Sequence, residues 1–557
     1  MPATGRTFLE RLPASATGIS FTNYLSEERA MESSVRTSGS GVAAGDVDGD
    51  GWCDLYFCGM ESPNALYRNL GNGKFEDITK PAGVGCPQQY STGAVLADVD
   101  GDRDLDLLVN SVGGGTRLFL NDGRAKFTES ATNGLLRRFG STSAALADID
   151  GNGTLDLYVC NYATVKIEDR PNAKFDSVTV NGRPMLTAID GVPLTSPELT
   201  NRYFVDAERV VRELGEPDAI YLNDGKGNFR QLSWTDGTFL DEEGRPLAKP
   251  PYDFGLSVMF RDMDGDLSPD IYIANDLFPP DRVWVNDGHG RFRAMSNLAI
   301  RNTPRFSMGV DFADINRDGF EDFFVVDMLS REHEKRKTQT MGVTPLYLPA
   351  GLIDNRPQYK RNTLFLNRGD GTYAEIAQLA GLDATEWSWM PLFIDLDLDG
   401  YEDVLVTTGH TRDSLNADAV DAVLRARRMR KLTDQEHRDL KKKHFPLLNL
   451  HNQAFRNRGD LTFEDKARDW GFDHVGTSHG MCLADLDNDG DLEVIVNHLN
   501  DLAGVYRNES AEPRVLVQLR GKTPNSFGIG ARIKFLGGPL PQSQEMISGG
   551  QIGRAHV

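Results

Sequence analysis

Acidic residues recur in this chain at a spacing that suits one kind of chemistry. In Asp46-Val-Asp48-Gly-Asp50-Gly-Trp52-Cys-Asp54-Leu55, carboxylates stand at positions 1, 3, 5 and 9, and position 7 can offer its backbone carbonyl. Six further copies follow, with Asn at position 5 or 3 in two of them and Glu at position 9 in the last. The candidate oxygen donors are Asp46, Asp48, Asp50, Trp52 and Asp54; Asp98, Asp100, Asp102, Asp104 and Asp106; Asp148, Asp150, Asn152, Thr154 and Asp156; and Asp262, Asp264, Asp266, Ser268 and Asp270. They continue with Asp314, Asn316, Asp318, Phe320 and Asp322; Asp395, Asp397, Asp399, Tyr401 and Asp403; and Asp485, Asp487, Asp489, Asp491 and Glu493. Oxygens alternating along a tight loop are what a hard cation of calcium's size requires. A single such turn is ordinarily a solvated turn, but repetition in register predicts about seven structural Ca²⁺ ions, one per loop.

Position 12 separates the calcium architectures. An EF-hand closes its ion with a bidentate Glu there and continues as a helix, whereas here the residues are Phe57, Val109, Val159, Ile273, Val325, Val406 and Val496. Each loop therefore leads into a strand, as in Leu105-Asp-Leu-Leu-Val109, rich in residues that suit a pleated, partly buried surface. A hairpin signature follows, for example Leu66-Tyr-Arg-Asn69 before Phe75 and Leu118-Phe-Leu-Asn121 before Phe127. Small or apolar strands such as Gly93-Ala-Val-Leu-Ala97 precede the loops. Four strands per copy and a base period of about 50 residues predict an all-β, seven-bladed propeller over residues 1–510. The seventh hairpin, Val505-Tyr-Arg-Asn508, lacks its aromatic strand, and Thr7-Phe8 at the other end supplies the match. The N-terminal strand is therefore expected to close the ring and leave no open sheet edge.

Three stretches exceed the period. Residues 161–219 form a polar insertion, 329–361 include the basic Arg331-Glu-His-Glu-Lys-Arg-Lys337, and 411–446 read as one helix with Ala417, Val420, Val423 and Leu424 on a face and Pro446 as its stop. The last insertion is locally positive, either a solvated cover or a docking surface. From Arg514 the pattern changes, and residues 511–551 read as a truncated small β module outside the ring. Ile552-Gly-Arg-Ala-His-Val557 looks like a translated sequencing adapter, an artefact that places a truncation near Gln551.

The formal charge of -22 disfavours nucleic acid and anionic membranes as partners. Seven bound Ca²⁺ would reduce that charge to about -8. The five cysteines form no Cys-X-X-Cys pair and read as buried hydrophobes. No apolar run is long enough to span a bilayer. The opening Met1-Pro-Ala-Thr-Gly-Arg6 lacks the apolar core of a signal peptide, which leaves a cytosolic protein or an incomplete N-terminus.

The repeated Asp-X-Asp-Gly-Asp-Gly-X-X-Asp-Leu, followed by the Asn-X-Gly-X-Gly-X-Phe hairpin, resembles the FG-GAP/VCBS repeats that form integrin α-subunit-type propellers. Gly528-Ile-Gly-Ala-Arg532 and Ser548-Gly-Gly550 resemble the start of an ASPIC/UnbV domain, and the combination is similar to the cartilage acidic protein-like family. The resemblance implies an extracellular, periplasmic or cell-surface calcium-binding protein with an adhesion role and no catalysis. Arg103 and Leu267 stand where other loops carry a position-6 glycine. A positive φ is costly for a side chain there, so those two ions are expected to bind more weakly.

The expected function is a non-catalytic, monomeric binding scaffold for an extracellular protein or polysaccharide, engaged through the insertions or the propeller faces. The alternative is an enzyme or carbohydrate-binding protein using Trp387, Trp389, His410, His479 and Phe254 near the axis. No Gly-X-Ser-X-Gly is present, His333-Glu334 lacks the second His of a zinc helix, and Gly528-Ile-Gly530 lacks the third Gly of a dinucleotide loop. An intracellular structural protein is a third option, against which stands the low calcium concentration of the cytosol.

Overall fold

A computed structural model describes residues 9–196, 199–206, 209–340, 356–510, 515–537 and 540–549. Among them lie seven sheets of four or five strands, with smaller two- and three-stranded pairings besides. Three or four strands of each sheet come from one sequence repeat. In the first, Val42–Gly45 pairs antiparallel with Asp54–Phe57 across the acidic loop, then come Ala65–Asn69 and Phe75–Asp77. The apolar residues at positions 10 and 12, such as Leu55 and Phe57, are fully buried. Their burial follows from sheets covered on both faces by neighbouring sheets, so strand residues of either phase are apolar.

The first strands of successive sheets pack side by side. Val42–Gly45 lies against Ser91–Ala97, which lies against Ser141–Ala147, then Gly255–Arg261, Val310–Ala313, Glu386–Ile394 and Val475–Ala484, and the last of these returns to Val42–Gly45. In the seventh sheet the outer strand Gly504–Asn508 pairs with Leu9–Arg11, Leu9 opposite Asn508. Thr7 and Phe8, assigned to that strand from sequence, fall outside the described residues.

A second set of bonds ties sheet to sheet. At five of the seven junctions the side-chain amide of the hairpin asparagine donates to the position-2 carbonyl in the loop of the preceding sheet. Asn121 reaches Val47 O at 2.8 Å, Asn223 reaches Val99 O at 2.8 Å, Asn286 reaches Ile149 O at 3.0 Å and Asn457 reaches Ile315 O at 3.0 Å. Asn69 of the first sheet reaches Leu486 O of the seventh at 2.8 Å. The other two junctions are met differently. Tyr373, standing where other hairpins have Phe, donates to Met263 O at 3.0 Å, and Ser510 donates to Leu396 O at 2.6 Å.

Two expectations are corrected. The C-terminal segment carries a small hairpin of its own, Arg532–Phe535 with Gln542–Glu545, but it packs on the larger sheets rather than standing outside them. Ser548–Gly549 pairs with Ala145 and Leu146 on the free edge of the third sheet's first strand. Phe527, Ile529 and Met546 join the core shared by the first three sheets. Gly549 has φ +74° and a Cβ there would meet Ala144 O at 2.4 Å, so glycine is required at that step. The 411–446 insertion forms two helices, Ala417–Met429 and Asp434–His444, rather than one. Thr433 and Glu436 form a capping box that restarts the helix after Arg430 turns to extended backbone. Val423 of the expected apolar face is buried, whereas Leu424 is exposed.

Asn223→Ala removes the donor to two buried carbonyls, those of Val99 and Leu155. It is expected to cost about 1–3 kcal/mol in urea denaturation, while Asn228→Ala, on the exposed tip of the same hairpin, leaves the midpoint nearly unchanged.

Candidate metal centres

Each acidic loop is assembled by its own carboxylates. Asp46 at position 1 accepts from the N–H of Gly49 at 2.8 Å and of Gly51 at 2.8 Å, curling the backbone around itself. The position-6 N–H bonds the same carboxylate in five of the later loops, from Arg103, Gly153, Gly319, Gly400 and Gly490. Position 5 accepts from the N–H of position 7 in all seven, from Trp52 to Asp50 at 3.0 Å through Asp491 to Asp489 at 3.0 Å. The curl needs left-handed backbone at positions 4 and 6. Arg103 and Leu267 carry φ +81° and +71° at position 6, as expected from sequence, and Arg317, Leu398 and Asn488 carry positive φ at position 4, which the sequence reading did not single out.

The ninth carboxylate has a different task. Asp54 accepts from the position-2 N–H of Val47 at 3.0 Å with one oxygen and from the hairpin N–H of Asn69 at 2.8 Å with the other. The same pair of bonds recurs at Asp106, Asp156, Asp270, Asp322, Asp403 and Glu493. All seven side chains are buried. Burial pushes Asp54 up to about 7, and Asp106, Asp156 and Asp322 up to about 8. Neighbouring carboxylates add to the rise. Burial and then Asp102 hold Asp100 up at about 6, and burial holds Asp395 up at about 6.

Carboxylate oxygens converge into clusters. Those of Asp46, Asp48 and Asp50, of Asp98, Asp100 and Asp106, of Asp148, Asp150 and Asp156, of Asp262, Asp264 and Asp270, and of Asp395, Asp397 and Asp399 lie within 4.8 Å of one another. Asp397 Oδ1 and Asp485 Oδ1 are buried without a hydrogen-bond partner among the described residues. An all-oxygen donor set with orphaned, mutually repelling carboxylates fits a hard cation, and its lack of sulfur and imidazole does not fit zinc or copper. The sequence reading missed built-in cations. Arg68 sits over the first loop, 2.6 Å from Asp48 and 2.9 Å from Asp50, and Arg456 repeats this at Asp397 and Asp399. Arg532 of the C-terminal segment lies 3.4 Å from Asp262. The signal for the first two was an Arg directly before the hairpin Asn.

The alternative site is brought together as well, at the strand ends opposite the loops. Trp387 stacks on His410 at 4.2 Å and Trp389 meets His479 edge-on at 4.8 Å. Phe254 shares their apolar cluster and packs on Tyr162 at 5.1 Å. Burial pushes His410 down to about 4 and His479 down to about 3, so both are neutral at pH 7 and poorly matched to general acid–base work there. A depressed folded-state value makes stability complete above the unfolded value near 6.5 and lost as pH falls toward 3. His479→Gln is expected to remove this contribution, so that between pH 6.5 and 4 the parent's denaturation midpoint falls relative to that of the variant.

No helix among the described residues is long and apolar enough to cross a membrane. Over 99 residues the chain is 33% identical to mouse cartilage acidic protein 1, a match covering 17% of this chain and 15% of that protein. Cartilage acidic protein 1 of Xenopus tropicalis gives 33% and that of Homo sapiens 32% over the same length. The chain thus spans about 15% of the length of the curated relatives it matches. A solved structure of BBS1N in complex with ARL6DN gives a TM-score of 0.38 at 7% identity over 92% of this chain and 99% of that one, a likeness too low to carry an argument. The FG-GAP-like repeat matches residues 46–109, 98–159, 262–325, 353–406 and 449–496, together about half of the sequence, and each match ends at position 12 of a loop described above. The chain belongs to the FG-GAP-like repeat family.

Proposed function

We propose that this protein is a non-catalytic binding or adhesion scaffold that works outside the cytoplasm, with residues 1–510 as a seven-bladed propeller held by about seven calcium ions. The observation that carries the reading is the repeated loop, whose buried carboxylates bridge each loop to its own hairpin while the hairpin asparagine bridges to the preceding sheet. The cyclic packing of first strands and the pairing of Leu9–Arg11 with Gly504–Asn508 support a closed ring. Residues 511–551 are read as the start of an ASPIC/UnbV module that folds back onto the ring.

Calcium would be held by the carboxylates and Asn oxygens at positions 1, 3, 5 and 9 and the carbonyl at position 7. The ion supplies charge neutralisation where carboxylates crowd. The chain's own residues do the rest, since positions 1 and 5 set the curl and position 9 ties it to the hairpin. Sites of this kind in extracellular modules have Kd on the order of 10⁻⁴ to 10⁻³ M, which suits millimolar calcium and supports an extracellular, periplasmic or surface location. The metal is then structural, and an extracellular protein or polysaccharide is engaged elsewhere on a monomeric scaffold.

Metal-free protein is expected to melt well below protein in millimolar Ca²⁺, with about seven ions counted per chain. An unchanged melt with no bound ion sinks the calcium reading. Leu267→Gly relieves a left-handed backbone and is expected to raise stability by about 1 kcal/mol while tightening calcium binding at that loop. Titration followed by calorimetry checks both.

A further inference from the structure

The acidic surface is interrupted where two insertions meet. Residues 171–174 face the end of helix Ala417–Met429 across a cleft of about 460 Å³. Lys174, Arg427, Arg428, Arg430 and Lys431 line it, and no lining residue is acidic, in a chain of formal charge -22. The walls are fastened to each other. Asn172 Nδ2 donates to Leu432 O at 3.0 Å and to Asp434 Oδ1 at 2.7 Å, and Arg427 donates to Pro171 O at 3.3 Å from 256 positions along the chain.

Helix polarity accounts for Arg427 and Arg428, which occupy the last turn, where cations suit the exposed carbonyls. It does not account for Lys174, which arrives from the other insertion, or for Lys431, which lies beyond the helix. Arg430 is paired with Glu436 at 2.9 Å. The ammonium groups of Lys174 and Lys431 have no ion-pair partner among the described residues.

We propose that this cleft binds an acidic polysaccharide through its carboxylate or sulfate groups. The volume falls within the roughly 300–1,000 Å³ of small-ligand clefts, and arginine forks match planar or trigonal oxyanions. Its apolar lining is Pro171, Ala173 and the already buried Leu432, so it lacks the large anchors that a docking peptide needs. A long nucleic acid is disfavoured because the surrounding net charge repels it beyond the short basic track. The inference rests on the scaffold reading and names its ligand class.

The test uses the full chain in millimolar Ca²⁺ and calorimetric titration with a uronate trisaccharide and a sulfated hexasaccharide. Binding of at least one is expected, weakening about tenfold or more from 50 to 500 mM salt. Lys174→Glu and Arg428→Glu, on opposite walls, are each expected to weaken it about tenfold and to leave the calcium-dependent melt unchanged. Arg230→Glu, on an exposed outer strand, serves as the control and changes nothing. No binding at low salt, binding insensitive to both wall variants, or tighter binding of a 12-mer DNA duplex overturns the proposal. Sugar binding that survives in a protein with no calcium-dependent melt would overturn the metal reading and leave this one standing.

Discussion

One buried carboxylate per repeat sets the rest of the structure. A carboxylate taken out of water costs several kcal/mol unless its oxygens are saturated. The ninth residue of each loop meets that demand with two backbone N–H groups, one from its own loop and one from the hairpin that follows. Loop and hairpin therefore cannot be positioned independently. The peptide at position 2 carries the coupling further, because its N–H serves the carboxylate and its carbonyl serves a donor from the next sheet. Seven local charge problems are solved by one chain of bonds that passes from sheet to sheet.

The remaining carboxylates are not equally placed. In the first and sixth loops an arginine already neutralises positions 3 and 5, and in the fourth Arg532 reaches position 1 from the far end of the chain. Arg317 of the fifth loop is buried against Glu402 of the sixth, at 2.8 Å, and links adjacent loops directly. These loops share a sequence pattern but differ in how much positive charge they have in hand before any ion arrives. Identical motifs along a repeat protein thus need not be equivalent sites.

The loops, the strands after them and the hairpins were legible in sequence because each depends on residues close together in the chain. Buried apolar residues such as Leu55 and Phe57 and the Asn-X-Gly turns carry that information locally. The role of Asn121 or Asn223 as a bond between sheets was hidden, since the same residue is already explained by its own turn. The return of Ser548–Gly549 to the third sheet was hidden for a related reason, because two residues of strand have no periodicity to read. The helical insertion was read as one element because Arg430 to Leu432 break the helix without a Pro or Gly. The Thr433 to Glu436 box was present in the sequence and marked the restart.

The pairing of Leu9–Arg11 with Gly504–Asn508 bears on how the protein is made. A ribosome emits the first partner about 500 residues before the second, which at roughly 5–20 residues per second is a wait on the order of 25 to 100 s. Throughout that time the earliest strand has no neighbour, and the first acidic loop lacks the sheet that Asn69 will bond. The emerging sheets can each form as their hairpins arrive, yet the last contact to form is the one of greatest sequence separation, the slow kind that exposes unpaired edges to aggregation.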